Sequence, residues 1–244
     1  EEVGTGRNHE VDIALDPLEG TTITAKGMPN SLSVIAAAQR GGLLYAPDTY
    51  MNKIAVGGNL PDDIIDLDAT TKENIQSIAD AKKVPINEVT ACVLERSRHD
   101  SIIEDLRSIG AKIVLIPDGD VAGIIMTTQE HSSVDIYMGV GGAPEGVLAA
   151  AALQCIGGQM QTRLVINNED EKIRAEKIGI KDLNKKYSLD ELAHGDIIFS
   201  ATGVTEGTMV RGVRTNQNKY VTHSLVLRTG ESSSQYIETY HDIS

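Results

Sequence analysis

Short apolar runs, broken at regular intervals by Gly, Pro and Asp, set the pattern of this chain. Val11-Asp12-Ile13-Ala14-Leu15 is a β-branched run that reads as a buried strand, and Asp16-Pro17-Leu18-Glu19-Gly20-Thr21 begins where it stops. Residues 31–37 and 43–45 flank Arg40-Gly41-Gly42, the pattern of a hairpin. Residues 50–56 read as a strand and 57–68 as an acidic loop. Residues 71–82 have helical spacing, with Lys82 at the C-terminal end. From Thr90 the pattern alternates: strand 90–94, helix 101–109 stopped by Gly110, strand 112–116, helix 121–127, strand 134–140, helix 145–156. This βαβαβα order predicts an α/β fold with a mixed, largely parallel sheet in the second part of the chain. Residues 168–178 read as a charged helix and 189–193 as a short one. Residues 196–202, 209–213 and 220–228 read as further strands, before the polar stretch Ser232-Ser233-Ser234. The acidic loop suggests two lobes, 1–88 and 89–244.

Each strand of the alternating series ends in polar or Gly-rich sequence: Glu95-Arg96-Ser97-Arg98-His99-Asp100, Pro117-Asp118-Gly119-Asp120, and Gly141-Gly142-Ala143-Pro144-Glu145-Gly146. In parallel α/β sheets the carboxyl ends of the strands line one crevice, where ligands bind. Three polar strand ends therefore point to one site. The glycines from Gly139 do not make a dinucleotide fingerprint, because Pro144 occupies the last glycine of G-x-G-x-x-G.

Charge narrows the ligand class. The formal net charge is -13, with 22 Lys and Arg against 35 Asp and Glu, Trp is absent, and there is one Phe. Phosphate neutralisation and base stacking are both disfavoured, so nucleic acid is not the expected partner. Bound divalent cations would invert this field and let an acidic protein take an anionic substrate. There is no membrane-length apolar run and no secretory leader pattern, which points to the cytoplasm. Cys92 and Cys155 lie in apolar segments without metal-ligand spacing and read as reduced core residues.

Asp16 and Glu19, three apart across a Pro-started turn, can converge on a hard divalent cation, with the Thr21 hydroxyl beside them to orient water or a phosphate oxygen. The same residues also suit an acidic surface turn. Arg96 and Arg98, two apart in an extended segment, would project to one side and clamp a phosphate; paired to nearby acids they would be a solvated basic turn. Asp118 and Asp120 are expected to orient a polyol, with Gly119 permitting close approach and Asp120 also capping a helix. His99 reads as a structural imidazole, expendable to the chemistry, and Asp100 as a helix N-cap. Glu145 is either a first-turn residue complementing the helix dipole or a metal ligand opposite Asp16 and Glu19.

Together these segments resemble the class II fructose-1,6-bisphosphatases, from Val3-Gly4-Thr5-Gly6-Arg7 onward. The resemblance is carried by Asp16-Pro17-Leu18-Glu19-Gly20-Thr21, Tyr45-Ala46-Pro47-Asp48, Arg98-His99-Asp100, Ile116-Pro117-Asp118-Gly119-Asp120-Val121-Ala122, Gly141-Gly142-Ala143-Pro144-Glu145-Gly146-Val147 and Phe199-Ser200-Ala201-Thr202-Gly203. It implies a layered αβαβα sugar-phosphatase fold and Mg²⁺- or Mn²⁺-dependent removal of the C1 phosphate from fructose 1,6-bisphosphate. By position it implies Asp16, Glu19 and Glu145 as metal ligands and Asp16, Glu19 and Thr21 as catalytic. Glu19, Gly20, Thr21, Tyr50, Arg96, Ser97, Arg98, Asp118, Gly119, Asp120 and Gly142 would bind substrate. The first lobe would then be the remainder of a metal-binding lobe and the second the substrate-binding lobe, in a homo-oligomer. The family's G-R-G-D-K-type and G-E-G-E-type elements, which supply further metal ligands, do not occur here. The expectation is thus a polypeptide lacking the family's N-terminal segment. An inositol-phosphate phosphatase of the same superfold, and an inactive sugar-phosphate-binding fragment, are the alternatives.

Overall fold

The computed structural model describes residues 5–6, 10–231 and 233–243. Val3, Gly4 and Arg7 of the first matching segment, and Ser232, lie outside the described residues. In chain order the elements are β1 (Val11–Glu19), α1 (Thr21–Ala25), β2 (Leu32–Gln39), β3 (Tyr50–Gly57), α2 (Thr71–Lys82), β4 (Thr90–Leu94), α3 (Asp100–Ile109), β5 (Lys112–Ile116), α4 (Asp120–Ile125) and β6 (Ile136–Gly142). There follow α5 (Ala143–Ile156), β7 (Gly158–Val165), α6 (Glu169–Lys177), β8 (Tyr187–Ser188), α7 (Leu189–Leu192), β9 (Ile197–Gly203), β10 (Arg214–Asn216), β11 (Lys219–Arg228) and β12 (Gln235–Asp242).

These form two six-stranded sheets. One has the order β1-β2-β9-β11-β10 with β12 paired to β11, and the other has the order β5-β4-β6-β3-β7-β8. In the second sheet β4 is parallel to β5 and β6, whereas β3 is antiparallel to both β6 and β7. Hence β4, β5 and β6 run one way, as the alternating pattern predicts; β7, a strand that the pattern does not show, runs with them, and β3 is threaded between β6 and β7 in the opposite sense. Both sheets use chain from either side of position 88, since β1 and β2 join β9 and β3 joins β6.

Helix α5 explains how the sheets stack. Gly146 to Leu153 is apolar on every side and wholly buried, so the helix cannot lie on a surface. It packs against β1, β2, β9 and β11 on one side and β3, β6 and β7 on the other. Its alanines let both sheets approach closely. Ile75 and Ile78 of α2 and Ile103 and Leu106 of α3 close a second core over the far face of β3, β4 and β6. The described residues thus form four alternating helix and sheet layers, a layered α/β fold. The outer face of the first sheet leaves Val11, Ile13, Leu15, Ile35 and Ile198 exposed.

Helix α2 covers its predicted span, held by a Thr70–Glu73 capping box, and Gly110 ends α3 in the left-handed region. Two expectations fail for tertiary reasons. The hairpin about Arg40–Gly42 does not form: β2 pairs with β1 and β9, and the chain beyond it is held instead by Leu44 N–H to Leu192 O. Residues 209–213 are irregular, and a strand begins only after them, as β10. Cys92 is buried and Cys155 half-buried, and both are free. Among the described residues no helix is long and apolar enough to cross a membrane.

Candidate active site

The first four residues of the acidic hexapeptide, Asp16 to Glu19, are built into β1, where the sequence pattern predicts the strand to have stopped. Pro17 has no N–H for the ladder, and the β1–β2 register slips by one residue between the Asp16–Val34 and Glu19–Leu32 pairs. Asp16 Oδ1 accepts the Leu18 N–H at 3.0 Å within this bulge. Gly20, at φ 85°, then turns the chain into α1, whose exposed first residue is Thr21. The Thr22 N–H donates to Asp118 Oδ2 at 3.0 Å, tying α1 to the end of β5.

Glu19 is 2% exposed, and its Oε1 accepts the Val121 N–H at 2.7 Å. It therefore caps the first turn of α4 from another strand. Its Oε2 is buried with no hydrogen-bond partner. Burial holds the Glu19 carboxyl well above its ordinary pKa, and the charges of Asp120 and Asp16 add to this. Gly119, at φ 86°, turns the chain into α4 in the left-handed region that favours glycine.

Asp120 does not cap α4 as expected. It is the first helical residue, and its Oδ2 accepts from Lys53 Nζ in a buried ion pair. The physical reason is Lys53 itself: at 1% exposure its ammonium needs an anion, and Asp120 supplies it. The carboxylate that was expected to meet a polyol is thus turned toward the interior. Gly141 makes room for the pair, since a Cβ there would overlap Asp120 Oδ2. Asp118 is more open, with Arg96 Nη2 3.6 Å from its Oδ1.

Glu145, the third residue of α5, curls back over Gly142, where any Cβ would overlap its carboxylate. Its Oε2 is also buried without a partner. Burial raises its pKa, its own N–H and Lys53 oppose the rise, and Asp120 and Asp16 reinforce it. Asp16, Glu19, Asp120 and Glu145 therefore share one electrostatic field around Lys53. Among the described residues, however, no three His, Cys, Asp or Glu side chains are gathered closely enough to hold a metal ion. Two buried carboxylate oxygens without donors are what a hard cation would satisfy, so Glu19 and Glu145 fit as part of such a ligand set.

The two arginines do not project together from an extended segment. Arg96 is extended, but residues Ser97–His99 form a 3₁₀ turn that swings Arg98 elsewhere. The Arg98 guanidinium lies 5.0 Å over the Tyr50 ring, and its Nε donates to Val140 O at 3.0 Å. Tyr50 pairs with Gly142 across β3 and β6, so Arg98, Tyr50 and Gly142 meet at one rim of the crevice. Ser97 is exposed between the arginines. The residues missed from sequence are Lys53 and Tyr137, whose hydroxyl is buried, unpartnered and within the field of Asp120 and Glu19. Lys53 had a signal: it is the one charge in an apolar strand.

His99 is fully buried and structural, as its sequence context suggests. Its Nδ1 bonds Leu94 O at 2.7 Å and its Nε2 accepts the Val140 N–H at 2.8 Å, joining the ends of β4 and β6. It also takes the N-cap position expected of Asp100, which is the first residue of α3. Burial lowers its pKa below 6.5, so the unfolded chain binds the proton more tightly than the folded one. Stability from this group is present above pH about 6.5 and lost as pH falls toward the lowered folded value. The expected result is that His99→Gln flattens stability against pH between 6.5 and 5, by at most about 1.4 kcal/mol per pH unit. Urea midpoints of both proteins across that range check it; parallel curves would remove the assignment.

Over residues 1–241 the chain matches the family described as bacterial fructose-1,6-bisphosphatase, glpX-encoded. The chain belongs to this family. As a member of the bacterial fructose-1,6-bisphosphatases it is a phosphatase, a hydrolase. It is 38% identical to the fructose-1,6-bisphosphatase class 2 of Haemophilus influenzae, over 99% of this chain and 76% of that enzyme. It is likewise 38% identical to fructose-1,6-bisphosphatase 1 class 2 of Escherichia coli strain K12, over 99% of this chain and 75% of the relative.

Proposed function

We propose that this bacterial fructose-1,6-bisphosphatase family member hydrolyses the C1 phosphate of fructose 1,6-bisphosphate to fructose 6-phosphate, in a reaction that needs Mg²⁺ or Mn²⁺. The observation that carries the reading is the pair of buried, partnerless carboxylate oxygens on Glu19 and Glu145, both within the field of Asp16. Asp16, Glu19 and Glu145 would hold the cations. Such ions supply charge neutralisation at a transferring phosphoryl group and a more acidic water.

The chain's own groups supply the rest. Thr21, exposed at the first turn of α1, orients the attacking water by its hydroxyl. Gly20, buried against Ile23 at a positive φ, makes the turn that presents Thr21. Arg96 beside Asp118, Ser97, and Arg98 stacked on Tyr50 reach the second phosphate from different sides, since the turn at Ser97 keeps the two guanidinium groups from projecting together. Asp118, Gly119 and Gly142 line the sugar. Asp120, engaged by Lys53, acts by holding the wall of the crevice, a change from the direct polyol contact its spacing suggests. The preference for a bisphosphate over an inositol phosphate rests on Arg96 and Arg98 as a second anion site at the strand ends.

Phosphate release is expected from fructose 1,6-bisphosphate with Mn²⁺ or Mg²⁺, to be abolished by chelator and by Asp16→Ala. Turnover retained by Asp16→Ala would sink the metal assignment. Release from inositol monophosphate alone would replace the substrate. Sugar-phosphate binding without release at saturating metal would leave a binding fragment.

A further inference from the structure

The connection from β9 to β10, residues 204–213, folds back on itself. The Val213 N–H donates to Val204 O at 3.2 Å, and the Gly212 N–H donates to Glu206 Oε2 at 3.2 Å. Gly212 lies so close to its neighbour that a Cβ there would come within 2.5 Å of the Thr205 carbonyl carbon. The loop is therefore a compact body, and it grips one short piece of chain, Asn30 and Ser31. The Val204 and Thr205 N–H groups donate to Ser31 O at 2.9 and 3.3 Å, and the Ser31 N–H donates to Thr205 Oγ1 at 3.0 Å. The Asn30 N–H donates to Glu206 O at 2.8 Å, and the Thr208 N–H donates to Asn30 Oδ1 at 3.0 Å. Together they hold Asn30 at φ 74°, a left-handed backbone that few residues other than glycine and asparagine adopt. Ser31 passes this hold to the site. It is wholly buried, its Oγ accepts from Thr24 Oγ1 at 2.5 Å and donates to Glu19 O at 2.9 Å, and the next residue, Leu32, pairs with Glu19 across β1 and β2.

We propose that Thr205 is a positioning residue for phosphate release: the loop 204–213 acts through Ser31 to set where the Glu19 carboxylate and the Thr21 hydroxyl stand. The inference rests on the reading of Glu19 as a cation ligand. Thr205 is the side chain of the loop that reaches the Ser31 backbone. Without its hydroxyl the buried Ser31 N–H has no acceptor, and leaving it so is costly enough that Ser31 shifts toward another one. Because Ser31 Oγ holds Glu19 O, the shift carries the end of β1 with it. A small displacement of a ligand lowers rate and metal affinity together. The groups assigned to the second phosphate, Arg96 and Arg98, stand on a different part of the chain at the end of β4, so sugar-bisphosphate binding is left as it was.

The test compares Thr205→Val, Thr205→Ser and Thr202→Val with wild type, by steady-state phosphate release from fructose 1,6-bisphosphate and by calorimetric titration of Mn²⁺ alone. Thr205→Val is nearly isosteric and is expected to lower kcat about tenfold, leave KM for the sugar bisphosphate unchanged and weaken Mn²⁺ binding by a similar factor. Thr205→Ser keeps the acceptor and is expected to restore both. Thr202→Val removes a hydroxyl of β9 that bonds Ser224 Oγ on β11 at 2.7 Å, and is expected to change neither. Wild-type kcat and Mn²⁺ affinity in Thr205→Val would overturn the proposal, as would equal losses in Thr202→Val, no recovery in Thr205→Ser, or a rise in KM alone. Failure of the underlying cation reading has a different signature: wild type itself would then neither bind Mn²⁺ nor lose activity to chelator, and the proposal falls with it.

Discussion

Glu19→Gln is expected to cost at least about a hundredfold in phosphate release while making the metal-free fold more stable at neutral pH. The amide oxygen can still accept the Val121 N–H, so the cap on α4 survives. What disappears is a buried carboxylate with one empty oxygen, repelled by Asp120 and Asp16. The sign follows from linkage. Because folding raises the Glu19 pKa above its ordinary 4.5, its contribution is present below that value and lost as pH rises through the folded pKa. Metal-free wild type should therefore weaken from pH about 4.5 upward, and Glu19→Gln should weaken less. Glu145 shifts in the same direction and keeps part of the slope in the variant. Added Mn²⁺ should stabilise wild type by mass action and the variant much less. Denaturant midpoints with chelator and with Mn²⁺ check this; equal metal stabilisation of both proteins would remove Glu19 from the ligand set.

Lys53→Met is expected to destabilise the fold by about 3–5 kcal/mol, the largest stability effect of any single change considered for this site. Methionine fills the same space, but Asp120 is left buried at 7% exposure without its cation, and Glu19 and Glu145 lose a neighbour that favours their charge. Lys53→Met with Asp120→Asn should recover much of the loss, since removing both charges avoids the uncompensated anion. At this chain length each kcal/mol corresponds to roughly 2–4 °C in Tm, so calorimetry of the two single variants and the double variant resolves the cycle. Additive losses would mean that the ion pair contributes nothing beyond its separate members.

What was legible in the sequence is what depends on near neighbours. The helical period of 71–82, its Thr70 cap, the strands 90–94 and 112–116, and the stop at Gly110 all follow from contacts within a few residues. So does the meeting of three polar strand ends, because consecutive parallel strands must end on one side. Arg96 beside Asp118 and Arg98 beside Val140 are the direct result. The DPLEGT-type turn and the glycines at 141 and 142 were readable as a site for the same reason.

The partners of the buried charges were not readable. Glu19 meets the Val121 N–H 102 positions away, and Lys53 meets Asp120 across 67. Nothing in the local pattern around Asp120 reveals that its carboxylate turns inward, since a first-turn acid looks the same whether it caps, binds or pairs. The insertion of β3 between β6 and β7 is equally non-local, as is the pairing of β2 with β9, which displaced the expected hairpin. The sequence by itself determined most of the helices, the parallel strands β4 to β6 and the class of enzyme, but not β7 or β12, because propensity and periodicity act over one or two turns. Only the tertiary structure decided strand order and which charge faces which. Those depend on burial, where an unpaired charge is too costly to leave and the chain brings its partner from wherever the fold allows.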